Sequence, residues 1–160
     1  MTPNRLIRRI RVMLIFFMVA LALSGITAFP VYSELRWWMN GGYRLPGPKG
    51  QEWLTTVWKG VDHTEQHYPF LFYGFDWLAF AHLVIAMLFI GPYRDPVRNK
   101  WVIEWAMLTC VAILLLAFIA GPIRGIPFFH IVADCFFGIL GLIPLGIVLR
   151  WIRQLELITK

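Results

Sequence analysis

Four long apolar runs, punctuated by glycine and proline, constrain this chain more than any other feature. A helix needs about 20 mostly apolar residues to cross roughly 30 Å of hydrocarbon. The runs predict spans over about 12–29, 75–91, 97–120 and 127–150, with a loop over 30–74 between the first two. Gly91-Pro92 and Gly121-Pro122 predict helix stops, because proline lacks an N–H and its ring clashes with the preceding turn. Asp95 ahead of Pro96 reads as an N-cap followed by proline at the first helical position, and Pro127 reads as the opening of the fourth helix.

Composition excludes the main alternatives. Hydrophobic residues make up 59% of the chain and charged residues 15%, against about 25% charged in an ordinary soluble domain. Disorder, a coiled coil and a nucleic-acid module are excluded on that ground, and a small soluble domain is disfavoured because it could not hide this much apolar surface. The net charge of +6 would suggest nucleic acid only if the basic residues shared one water-facing surface. Here they flank the apolar runs, the pattern of a protein whose partner is the lipid bilayer, with no nucleic acid. The expected fold is all-α, a four-helix transmembrane bundle forming a single integral membrane domain over 1–160. The first run follows Arg5, Arg8, Arg9 and Arg11 as a signal peptide would, but Phe29-Pro30 makes a poor cleavage context, so it reads as a retained span.

Orientation follows from Lys and Arg. Placing the N-terminus inside puts Arg5, Arg8, Arg9, Arg11, Arg94, Arg98, Lys100, Arg150, Arg153 and Lys160 in the cytoplasm. Arg36, Arg44, Lys49, Lys59 and Arg124 then lie outside. The imbalance predicts both termini in the cytoplasm (N-in/C-in), with a bacterial inner membrane as host. In the outer loop, Gly41-Gly42 and Pro46-Gly47-Pro48 mark turns. Gln51 to His67 reads as an amphipathic helix lying in the outer interface, with Trp53, Leu54, Val57, Trp58 and Val61 on its apolar face. His63 and His67 fall on the polar face, four residues apart, where they are a solvated face or a weak metal pair completed by Asp62 or a partner chain.

An ionisable residue within a span is a functional-site candidate. The candidates are Asp76, His82, His130 and Asp134, with Arg124 in the short outer loop and Glu104 near the inner edge. Counting along the helices places His82 roughly 9 Å and Asp134 roughly 10 Å below the outer edge, with His130 one turn above Asp134. Four uses are open. The cluster is a polar clasp in which Asp134 pairs with His82 or Arg124, a site for quinone or another lipid-soluble ligand, a haem b site with His82 and His130 as axial ligands, or a metal centre or proton path that uses His130 and Asp134. Gly138 and Gly141 lie on the face of His130 and Asp134, where they admit a neighbouring helix or leave room for a ligand. Ala20, Ser24 and Ala28 form a small-residue packing stripe on the first span, and Pro144 predicts a kink in the fourth. Cys110 and Cys135 differ in depth by about 6 Å and read as buried thiols rather than a disulfide.

Three segments carry a resemblance: Tyr68-Pro69-Phe70-Leu71 with Tyr73 to His82, Gly91 to Asn99, and Ile123 to Phe129. They resemble a family of small bacterial four-helix inner-membrane proteins with no assigned activity. The resemblance covers about Gly25 to Glu156, implies the fold class and the inner membrane, and transfers no residue roles. No phosphate loop, dinucleotide fingerprint, nucleophile elbow or CxxC pair occurs. The expected function is therefore a non-catalytic accessory subunit contacting other membrane subunits. The competing expectation is a redox protein holding a quinone or one haem b between the second and fourth spans.

Overall fold

The computed structural model describes residues 2–159. The chain is 87% helical, and no strand occurs among the described residues. The helices are α1 (Pro3–Ala28), α2 (Val31–Asn40), α3 (Gly47–His67), α4 (Tyr73–Leu88), α5 (Ile90–Arg94), α6 (Lys100–Ile123) and α7 (Phe128–Thr159), with a 3₁₀ turn at Pro69–Phe72. Four stretches are long and apolar enough to cross a membrane: Pro3–Ala28, Pro69–Arg94, Lys100–Ile123 and Phe128–Ile158. The chain forms two compact units, one of Ala20–Ile85 and the other of the chain on either side of it.

The proline signals act, but displaced from where they stand. Pro92 does not stop the helix at Gly91; the break comes at Phe89, and a new helix, α5, carries Pro92 in its first turn. The reason is that a proline conflicts with the carbonyl four residues earlier. For Pro92 that carbonyl belongs to Leu88, the last residue of α4. Pro122 likewise lies inside α6, which ends two residues after the predicted stop at Gly121. Asp95 does not cap α6. Its Oδ1 accepts the Arg98 N–H at 3.0 Å and closes a turn, and α6 begins later, after Asn99. The Asn99 amide secures that corner by donating to the carbonyls of Gly91 and Asp95. Pro127 precedes α7 and accepts from His130 and Ile131 through its carbonyl. Its helix passes through Pro144 and continues nine residues past the predicted end at 150, to Thr159.

In the larger unit α6 and α7 pack antiparallel, joined by a turn in which Gly125 takes φ +68°. The core gathers at one end of this unit. Leu6 and Ile10 of α1, Phe89, Ile103 of α6 and Ile152 of α7 are fully buried there. Phe17 packs its ring on Phe89 at 4.9 Å. Elsewhere the long helices present Leu115, Leu116, Ile119, Phe137 and Leu140 outward, more than half exposed. Among the described residues no polar or charged side chain is fully buried.

In the smaller unit α2 packs against α3. Tyr32 stacks on Trp58 at 5.8 Å and donates to Asp62 Oδ1 at 3.2 Å. The apolar face expected of α3 is half-buried to buried, with Leu54 at its centre. Helix α2 itself has no counterpart in the sequence reading. Gly25 makes a close contact of α1 in this unit, while Ala20 and Ser24 of the expected packing stripe are exposed. A Cβ on Gly25 would lie 2.8 Å from the Ala79 carbonyl oxygen and 3.0 Å from His82 Cβ.

Candidate functional site

The candidate polar residues divide between the two units. In the larger one, His130 and Asp134 lie one turn apart on α7, with His130 Nε2 3.7 Å from Asp134 Oδ1. Both side chains are 45% exposed. That spacing is ion-pair range if the imidazole is protonated, and too long for a hydrogen bond. Arg124 closes α6, where its backbone N–H bonds the carbonyls of Ala120 and Gly121. Its guanidinium makes no ion pair with Asp134. Direct pairing of these two, one form of the expected clasp, is not made. Asp134 lies about 9 Å along α7 from Phe128, and the nearer His130 meets it instead.

In the smaller unit, His82 Nδ1 lies 2.8 Å from the carbonyl oxygen of Leu78. A carbonyl only accepts, so the Nδ1 carries the proton and Nε2 keeps its lone pair in the neutral ring. Gly25 against the His82 Cβ restricts the base of the side chain. Asp76 sits in the first turn of α4, where the helix dipole favours a carboxylate. His63 and His67 stack at 4.1 Å between ring centroids, and His67 Nδ1 bonds the His63 carbonyl. Asp62 is engaged elsewhere: Tyr32 holds Oδ1 and Gln66 donates to Oδ2 at 2.9 Å. Among the described residues no three His, Cys, Asp or Glu side chains gather as a metal centre would need.

The glycines of α7 have one of their two expected uses. A Cβ on Gly138 would stand 2.6 Å from the Cys110 carbonyl oxygen, and one on Gly141 would stand 2.8 Å from Cys110 Sγ. Helix α6 therefore fills the space those glycines leave, and the gap is a helix contact rather than a ligand slot. Cys110 and Cys135 are both buried free thiols.

Two features at the opposite end of the larger unit lay outside the sequence reading. Lys100 Nζ reaches Glu156 Oε2 at 3.0 Å, tying the start of α6 to the tail of α7. Glu104, four residues along α6 from Lys100, is exposed. The Arg9 guanidinium lies 6.0 Å from the ring centre of Trp151. Arg11 lies 5.4 Å from that of Tyr93 and donates through Nε to the Tyr93 carbonyl at 3.1 Å. The available signal was Arg5, Arg8 and Arg9 at i, i+3 and i+4, one helix face, followed on that face by Val12 and Phe16. Comparison with known protein families, curated proteins and solved structures returns no match.

Proposed function

We propose that this chain is a non-catalytic accessory subunit of a larger complex in a bacterial inner membrane. In this reading the four spans form a bundle with both termini in the cytoplasm, and α3 rests at the outer interface. The carrying observation is the Asp134 carboxylate, half-exposed on a helix whose neighbouring Phe136 and Phe137 also point outward. Lipid offers that carboxylate no hydrogen bonds, and an Asp at the centre of a span costs about 2.5–3.5 kcal/mol on insertion scales. A neighbouring helix carrying a donor would satisfy it.

The test uses the full tagged chain, extracted from its native membrane in mild detergent. The expected outcome is a discrete assembly larger than one chain, which Asp134→Leu reduces to the single chain while leaving the chain folded. A wild-type chain that runs alone, or an Asp134→Leu assembly of undiminished size, would overturn the proposal. The redox reading has one observation in its favour. A haem-ligating histidine commonly donates its second N–H to a carbonyl, and His82 does so to Leu78. A Soret band with reduced b-type peaks, or quinone recovered with the purified protein, would replace the accessory reading.

A further inference from the structure

The arginines that open α1 do more than orient the chain. Arg5, Arg8 and Arg9 overhang a groove of about 720 Å³, whose walls continue through Val12 and Phe16 to Trp151 of α7. A second groove, about 520 Å³, lies on the other side of the Arg8–Val12 ridge and reaches Arg11 and Tyr93. Positive charge crowns each groove and apolar side chains line its depth. Nothing acidic neutralises the crown from within α1, since no Asp or Glu precedes Glu34. Glu156, on the tail of α7, is held by Lys100. Neither Arg5 nor Arg8 forms an ion pair among the described residues.

We infer that the Arg5/Arg8/Arg9 groove is a binding site for an anionic phospholipid. The phosphate sits between the Arg5 and Arg8 guanidinium groups, and an acyl chain lies over Val12 and Phe16 against the Trp151 indole. Helical spacing puts Arg8, Val12 and Phe16 on one line about 12 Å long, the arrangement of a headgroup above its chain. Arg9 is positioned over the Trp151 ring, which places its charge at the mouth of the groove. Arginine suits this task because its planar fork matches phosphate oxygens in pairs. The occupant is a membrane lipid rather than free phosphate, because the floor is apolar and a bare ion would leave it unused. The inference rests on the membrane-spanning reading of α1.

The test is native mass spectrometry of the full chain in detergent with equal amounts of phosphatidylglycerol and phosphatidylcholine. Wild type retains phosphatidylglycerol in preference. At roughly fivefold per cation near a phosphate, Arg5→Gln with Arg8→Gln lowers the preference about 30-fold. Arg94→Gln with Arg98→Gln removes the same charge away from the groove and leaves the preference intact. Val12→Trp fills the groove without changing charge and also abolishes retention. Inorganic phosphate does not displace the lipid. No preference in wild type, an equal loss in the Arg94/Arg98 control, retention in Val12→Trp, or displacement by phosphate would each overturn the site. Carbonate washing of native membranes separates the two failures. A chain that stays in the membrane yet shows no lipid preference refutes the groove alone, whereas a chain released by carbonate refutes the span.

Discussion

Substituting Gly138 by alanine gives the sharpest test of how α6 and α7 meet. The new Cβ would sit 2.6 Å from the Cys110 carbonyl oxygen. A comfortable carbon–oxygen approach is about 3.3–3.6 Å, so the helices must part by roughly 0.7 Å. A gap of that size forfeits a quarter to a half of the dispersion energy of the contacts alongside it. The expected loss is about 1–3 kcal/mol, the range for an overfilled interior. Gly146 is the internal control. Its Cβ would meet Met107 Cε at 3.9 Å, an ordinary contact, so Gly146→Ala changes stability by less than about 1 kcal/mol and favours the helix. Gly141 separates backbone from side chain, because its added Cβ would meet the Cys110 sulfur. Cys110→Ala therefore rescues Gly141→Ala and does not rescue Gly138→Ala. The assay is SDS-induced unfolding in mixed micelles, followed by tryptophan fluorescence, for the three alanine variants with and without Cys110→Ala. Equal midpoints for Gly138→Ala and Gly146→Ala would refute the close approach, as would rescue of Gly138→Ala by Cys110→Ala.

Cysteines placed at Lys49 and Lys59 are expected to react with a membrane-impermeant maleimide in intact cells, and cysteines at Lys100 and Arg153 only after lysis; the opposite pattern inverts the orientation. Lys100→Ala and Glu156→Ala each cost less than about 1 kcal/mol, the range for a partly exposed pair, and the double variant costs less than the sum. An additive double-mutant cycle would show that the 3.0 Å contact is not energetically coupled. Tyr32→Phe keeps the stack on Trp58 but removes the bond to Asp62, so the smaller unit loses about 0.5–1.5 kcal/mol; an unchanged exchange rate for α3 amides would count against that bond.

Hydropathy reveals the four long helices because the requirement to span hydrocarbon is written into consecutive residues. Helix ends were harder to read, since a proline's conflict lies four residues upstream: Pro92 marks the corner, but Leu88 is where α4 ends. Helix α2 was not visible because ten residues give too few turns for a period to emerge, and its contact with α3 joins Tyr32 to residues 26 and 30 places later. The ambiguity at Gly138 and Gly141 was real in one dimension. Small residues on a face admit either a helix or a ligand, and only the position of Cys110 decides between them. The basic groove stayed hidden for the same reason. Arg9 and Trp151 are 142 positions apart, so no local pattern joins them.

The length of α7 has a thermodynamic consequence. Thirty-two residues make a helix of about 48 Å, against roughly 30 Å of hydrocarbon. If α7 spans the membrane as proposed, it is longer than the hydrocarbon is thick, and its tail carries Ile152 and Leu155, buried in the same compact unit as Leu6 and Ile10 from the start of α1. Within lipid, apolar side chains gain little by leaving the solvent, and helices meet through fit alone. Beyond the headgroups water returns, and the same side chains acquire an entropic reason to cluster. In the membrane-spanning reading the protein thus has two regimes of cohesion along one rod. Its heat-capacity change on unfolding would then come chiefly from the protruding end. Cooling would weaken the attraction there and leave the lipid-embedded contacts nearly untouched.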